Sequence, residues 1–105
     1  MDNQEKIAFN FPDVIENNLK SRFEVKIDNE VAFIDYKKSR NKIYLIHTEV
    51  PDTLSGRGVG TKLVRNVLHN VKSSGLQLVP WCPFVRKYLK KHPIWQKLTE
   101  KKQLL

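Results

Sequence analysis

The sequence holds a single cysteine, Cys82. An intramolecular disulfide is therefore excluded, and a zinc site built on thiolates has too few ligands. The 105 residues suffice for one hydrophobic core without such staples, and not for two domains. No apolar run approaches the roughly 18 residues that span a bilayer. The opening Met1-Asp2-Asn3-Gln4-Glu5 also lacks the basic region and apolar stretch of a signal peptide. A cytosolic protein with Cys82 as a free thiol is expected. Internal repeats and low-complexity linkers are missing as well. Glycine is scarce, four residues in all, and three of them stand together at Gly56, Gly58 and Gly60.

What is present points to a folded chain. Hydrophobic residues make up 40%, with five Phe, three Tyr and two Trp, well above the composition at which chains stay disordered. The net charge of +8 is unevenly spread. Residues 1–35 carry four basic and eight acidic side chains, residues 36–83 eight and two, and residues 84–105 seven and one. That asymmetry favours an anionic partner, whether nucleic acid, an acidic protein or a phosphorylated cofactor, and charge alone does not choose among them.

Residues 1–20 scatter Ile7, Phe9, Phe11, Val14, Ile15 and Leu19 around Pro12, which reads as an irregular arm or a short edge element. From Phe23 the pattern becomes alternation. Phe23, Val25 and Ile27, a turn at Asp28-Asn29, and Val31 to Tyr36 describe a β-hairpin. Lys37 to Lys42 reads as a polar turn, and Ile43 to Val50 as a third strand ended by Pro51-Asp52. After the glycines, Val59, Leu63, Val67 and Val71 recur every four residues, with Val64 and Leu68 beside them and polar residues opposite. This spacing predicts an amphipathic helix of about four turns, closed by Ser73-Ser74-Gly75. Leu76 to Val79 supplies a short strand ending at Pro80, and Phe84, Val85, Tyr88 and Leu89 mark a second helix stopped by His92-Pro93. The order β, β, β, α, β, α gives an α/β or α+β sandwich with a mixed sheet.

The glycine turn Ser55-Gly56-Arg57-Gly58-Val59-Gly60 lies between a strand and the first turn of a helix. Unpaired N–H groups and the positive end of the helix dipole converge there, which suits a phosphate. Glycines let the backbone approach closely, and Arg57 and Lys62 add mobile positive charge. A turn needing glycine for geometry alone is the competing reading. A Walker loop requires Gly-Lys-Ser/Thr where Gly60-Thr61-Lys62 stands, and a dinucleotide fingerprint requires glycine at Thr61. Both fail.

The turn resembles the motif Arg/Gln-x-x-Gly-x-Gly/Ala of the GNAT N-acetyltransferases, with Ser55 in place of the usual Arg or Gln and Arg57 available to compensate. The resemblance extends over residues 23–95. It includes His47-Thr48-Glu49-Val50-Pro51, the segment Val79-Pro80-Trp81-Cys82-Pro83-Phe84-Val85, and Tyr88-Leu89-Lys90-Lys91-His92-Pro93. Together these are similar to a short GNAT subfamily of about a hundred residues with a Cys-Pro-Phe segment. It implies a single minimal domain over residues 1–105, with an arm at 1–20 and a core at 23–95. The implied fold is α/β (α+β), a mixed, mostly antiparallel sheet flanked by two main helices.

The implied ligand is acetyl-CoA or CoA. Arg57, Gly58, Val59, Gly60 and Thr61 would hold its diphosphate, and the backbone of Thr48, Glu49 and Val50 its pantetheine arm. The thioester would lie where the next strand splays away. The implied reaction moves the acetyl group to an amine, and a CoA-binding module without turnover is the alternative.

Candidate catalytic residues lie near the splay. Cys82 follows the fourth strand and precedes a helix whose positive end favours a thiolate, so it reads as a nucleophile, a neighbour of the cofactor thiol, or a small core residue. His47 is the histidine placed to act as a base, and alternation puts it on one face with Leu45 and Glu49. Glu49 can orient it or act through a water. A solvated strand surface is the other reading for both. Trp81, Phe84, Tyr88 and Trp95 read as core or as an acceptor pocket. Arg86, Lys87, Lys90 and Lys91 read as solvated or as contacts for the adenosine phosphates. An amine acceptor is the expected partner, membrane is not, nucleic acid ranks last, and a monomer or weak dimer is expected.

Overall fold

The computed structural model describes residues 11–100. Ile7 and Phe9 of the expected arm lie outside that range. The rest of the arm contributes a short edge strand, β1 (Ile15–Asn17), which pairs antiparallel with β2 (Arg22–Ile27). β2 and β3 (Glu30–Ser39) form the expected hairpin, and Asp28 and Asn29 both take positive φ (53° and 65°), the conformation that suits a two-residue turn to the twist of its strands.

The stretch 37–42 is strand rather than an extended polar turn. β3 runs to Ser39, β4 (Lys42–Glu49) begins three residues later, and the reversal is confined to Arg40-Asn41, with Arg40 at φ 57°. The lysines there alternate on the pleat with little burial, so charge in the sequence looked like a loop where the backbone is a tight hairpin. After a 3-10 turn at Asp52–Leu54 come α1 (Val59–Ser74), β5 (Gln77–Pro80), α2 (Pro83–Lys91) and a second 3-10 segment, Pro93–Thr99, which the helical spacing did not predict. Gly75 ends α1 at φ 75°, and Pro83 opens α2.

The five strands lie in the order β1-β2-β3-β4-β5, antiparallel except for β4 and β5, which are parallel and bridged by α1. Alternation sends Phe23, Val25, Ala32, Ile34, Tyr36, Ile43 and Leu45 into one core with Leu63, Val64, Val67, Leu68 and Val71 of α1. α1 lies against β2, β3 and β4, and α2 against β4, β5 and α1. Burying this stripe holds α1 in place, since a helix of this length gains little stability from propensity alone.

Two irregularities in β4 position the site. Tyr36 faces Leu45, but Asp35 faces His47, so Ile46 is an additional residue on β4, a β-bulge. The bulge resets the phase of the strand: Ile43 and Leu45 are buried, His47 and Glu49 are exposed, and Thr48 and Val50 turn partly inward. The expectation that His47 shares a face with Leu45 is therefore overturned. The second irregularity is that β5 pairs with β4 only from Lys42↔Gln77 to Leu45↔Pro80. Leu45 O closes that pairing by accepting from both Trp81 N–H (3.0 Å) and Cys82 N–H (2.8 Å). Beyond it the chain turns into α2 while β4 continues to Glu49, so the two parallel strands part.

Candidate functional site

The glycine turn is anchored by Leu54, 1% exposed in the core, whose N–H bonds Pro51 O at 2.9 Å. Its three glycines serve different needs. Gly56 and Gly58 have φ of 77° and 73°, and a Cβ on either would meet nothing within 4 Å, so they are required for conformation and not for space. Gly60 is helical and buried, and a Cβ there would come 2.8 Å from Phe84 Cζ and 3.4 Å from Val50 Cγ2. Glycine at 60 admits the Phe84 ring of α2 against α1.

Gly58 caps α1 in the left-handed conformation, with no side-chain cap and no acidic residue in the first turn. The first helical N–H to find a carbonyl is that of Lys62, on Gly58 O at 3.1 Å. The N–H groups before it are the orphans of the helix start, and the dipole adds positive potential. Arg57 is not free beside them: its Nη1 donates to Asp28 Oδ2 in the β2–β3 turn at 2.9 Å. Both side chains are at least half exposed, and such a pair contributes at most about 1 kcal/mol.

Where β4 and β5 part, Thr48 Oγ1 and Cys82 Sγ are 3.2 Å apart. Cys82 is 2% exposed and takes the N-cap position of α2, so it is both a core residue and a wall of the opening. The contact with Thr48 exists because the bulge turns Thr48 inward, and nothing in the sequence pattern signals it. His47 Nε2 and Glu49 Oε1 lie 2.8 Å apart on the other side of β4 from Thr48, half exposed, with Phe33 edge-on to the imidazole at 6.4 Å. The structure thus joins His47 to Glu49, and Cys82 to Thr48, as two separate pairs.

The four aromatic candidates divide. Tyr88 is buried in the core, and Trp81 is 55% exposed with its ring 4.8 Å from Tyr44. Phe84 covers Gly60 while remaining partly exposed. Trp95 lies edge-on to His69 at 4.7 Å in a different groove, between α1 and the second 3-10 segment. They do not form one pocket. Of the basic residues on α2, Arg86 donates to Pro80 O and Trp81 O and braces the β5–α2 corner. Lys87 and Lys91 line a groove of about 130 Å³ with Thr61, Phe84 and Tyr88, beside the start of α1. Among the described residues no helix is long and apolar enough to cross a membrane, and no cluster of His, Cys, Asp or Glu is arranged to hold a metal.

A mostly antiparallel sheet whose one parallel pair parts, with an uncapped glycine start of α1 between the end of β4 and α2, defines a small α/β protein. The chain belongs to the GCN5-related N-acetyl-transferase family, whose model matches residues 22–98. It is 34% identical over 92 residues to Protein NATD1 of Gallus gallus, covering 83% of each chain. To Protein NATD1 of Xenopus tropicalis it is 32% identical over 89 residues, covering 80% of this chain and 81% of that one. A GCN5-like protein of Staphylococcus aureus solved by NMR superposes with a TM-score of 0.65 at 28% identity, over 87% of this chain and 90% of that one.

Proposed function

We propose that this protein binds acetyl-CoA and transfers the acetyl group to an amine. One observation carries the reading: the uncapped glycine start of α1 lies between the two segments that diverge, with Gly60 against Val50 just past β4 on one side and Phe84 of α2 on the other. The cradle and the gap are contiguous, as a ligand with a diphosphate at one end of an extended arm and a thioester at the other requires. The residues fit that ligand. Gly56 and Gly58 present backbone without a side chain in the way, and the N–H groups of residues 57–61 hold the diphosphate. The backbone of Thr48, Glu49 and Val50, beyond the last β5 partner, pairs with the pantetheine arm.

Acetyl-CoA supplies an activated thioester, whose carbonyl carbon forms a bond to the amine nitrogen as the C–S bond breaks. The chain has three tasks around that exchange. His47, oriented by Glu49 on the exposed face of β4 opposite the Cys82–Thr48 pair, accepts the proton from an amine that reaches the gap from that face. Backbone N–H groups on the β5 side of β4 beyond Leu45, where the ladder to β5 has ended, stabilise negative charge on the acyl oxygen. Cys82 and Thr48 form the wall beside the sulfur, and the departing thiolate takes up a proton from solvent to leave as CoA. Because Cys82 is almost fully enclosed, direct transfer is preferred over an acetylated cysteine. The cytosol is the compartment this reading expects.

Thermal melting with and without acetyl-CoA and CoA tests the first half. A ligand at a hundredfold its Kd adds about 2.7 kcal/mol to apparent stability, so an unchanged Tm at millimolar ligand sinks the proposal. Release of free thiol from acetyl-CoA across a panel of amines tests the second half. Stabilisation without thiol release assigns the chain to CoA binding without turnover. Cys82→Ala with full transfer restricts Cys82 to its role as a wall.

A further inference from the structure

The cradle and the gap account for the diphosphate and the thioester of the ligand, but a pair of ammonium groups beside them is left over. Lys87 and Lys91 stand four residues apart on α2, hence on one face of it, and share their groove with Thr61, the third residue of α1. Like charges at this spacing repel. Neither lysine has a carboxylate within salt-bridge distance among the described residues, where the ion pairs are Arg22–Glu24, Lys38–Glu16, His47–Glu49 and Arg57–Asp28. α1, β5, α2 and the second 3-10 segment fall within residues 53–99, which contain no Asp or Glu, and Glu49 of β4, the other element packed against α2, is paired with His47. The negative end of the α2 dipole favours Lys90 and Lys91, but it does not account for Lys87, in the middle of the helix, or for its sharing a groove with Lys91.

Resting on the reading above, we propose that Lys87 and Lys91 bind the 3′-phosphate on the adenosine half of the ligand, so that the protein distinguishes CoA from 3′-dephospho-CoA. The chemistry of the two anions supports this division of labour. Each phosphate of the diphosphate has one ester and one anhydride linkage and carries one charge, matched by the orphan N–H groups at the start of α1. The 3′-phosphate is a monoester whose second ionisation falls near pH 6, so it approaches two charges at neutral pH and pairs with two ammonium groups. Lysine suits this task as a mobile point charge that reaches a phosphate without a fixed fork geometry. The groove opens from Thr61, at the end of the diphosphate cradle, and the partly exposed Phe84 ring supplies its apolar side. A nucleotide leaving the cradle toward α2 would carry its ribose phosphate past Lys87 and Lys91.

Calorimetric titration of the full chain with CoA and with 3′-dephospho-CoA, at fixed ionic strength and pH 7.5, tests the assignment. The wild type is expected to bind CoA about tenfold or more tightly than dephospho-CoA, the scale of a charge-assisted contact. The double variant Lys87→Ala/Lys91→Ala is expected to lose most of that preference while its affinity for dephospho-CoA changes less than about threefold. Lys72→Ala/Lys97→Ala removes the same formal charge from the second groove, toward the C-terminal end of α1, and is expected to keep the preference. In the wild type the preference should fade as pH falls through about 6, where the monoester gains a proton. The inference is overturned if the wild type binds both ligands within about twofold, or if the Lys87/Lys91 variant weakens both equally. Equal binding leaves the acetyl-CoA reading standing, whereas failure of both ligands to bind the wild type removes that reading and this one together.

Discussion

The sheet half of the molecule, residues 11–52, balances acidic against basic side chains and joins several of them in ion pairs, while the helix half, residues 53–99, is basic with no carboxylate of its own. In the sheet half, Arg22 pairs with Glu24 and lies 4.1 Å from the centroid of the Phe33 ring, and Lys38 and the Tyr36 hydroxyl both donate to Glu16. The helix half has nine Lys and Arg and no carboxylate, and its one ion pair among the described residues borrows Asp28 from the sheet. Its order comes instead from an apolar stripe, with Leu63, Val64, Val67, Leu68 and Val71 all fully enclosed. Charges consumed by a fold cannot also bind a ligand. The basic excess that the composition shows is concentrated on the half that carries the glycine turn, where it would raise the local concentration of the proposed anionic ligand.

The strongest way to break this comparison is to ask what holds α1. If the stripe does, Leu63→Ala costs about 2–5 kcal/mol, whereas Arg65→Ala and Lys72→Ala on the exposed side each stay within about 0.5 kcal/mol in urea denaturation. A lysine or arginine variant costing more than the leucine would show that the helix half also spends its charges on folding.

The sheet half is probed at Tyr36. Burial, then the hydrogen bond to Glu16 and its negative charge, push this phenol up to about 12. Burial alone would raise Glu16 too, but hydrogen bonds from Lys38 and Tyr36 and the Lys38 charge hold it below the ordinary carboxylate value. Tyr36→Phe removes a link between β1 and β3, at a cost on the order of 1–2 kcal/mol. The signs follow from linkage. An unfolded tyrosine ionises near pH 10 while folded Tyr36 keeps its proton, so the unfolded state binds fewer protons and stability falls between about pH 10 and 12. Glu16, shifted the other way, contributes stability above its unfolded value near 4.3 that is lost as pH falls through its folded value. Denaturation midpoints against pH should show the alkaline component in the wild type and not in Tyr36→Phe. Matching alkaline limbs would exclude the Tyr36–Glu16 link from the stability of the sheet half.

The two halves also differed in how far the sequence revealed them. Both helices were legible, because Val59-x3-Leu63-x3-Val67-x3-Val71 and Val85-x2-Tyr88-Leu89 repeat at helical spacing and Gly75 and Pro83 mark boundaries. The β2–β3 hairpin was equally plain from Asp28-Asn29. What stayed hidden depends on pairing between distant residues. Ile15–Asn17 is too short to signal a strand without its partner β2, and the bulge at Ile46 carries no glycine or proline, only a β-branched residue that suits regular strand. The alternation rule then put His47 and Glu49 on the wrong face, and the Thr48–Cys82 contact could not be foreseen. The glycine turn was visible as a motif, but three identical residues conceal different requirements until their dihedral angles and neighbours are known.

Those glycines stand at the junction of the two halves, and they sharpen the comparison with smaller effects. Gly58→Ala forces a Cβ into a left-handed conformation with empty space around it, so a loss of about 1–2 kcal/mol measures backbone strain alone. Gly60→Ala poses the opposite problem. A helical alanine gains about 1 kcal/mol in propensity, which the displacement of Phe84 from a 2.8 Å contact consumes, so the net change should lie within about 1 kcal/mol of zero. The Phe84→Ala background separates the two terms. With the ring removed, Val50 Cγ2 at 3.4 Å is the nearest contact left, and Gly60→Ala should become stabilising. Such a change of sign is a coupling energy between residues 60 and 84. Additive effects in that double-mutant cycle would mean that glycine at 60 answers to something other than the approach of α2, leaving the first turn of α1, and the ligand proposed there, as the reason for it.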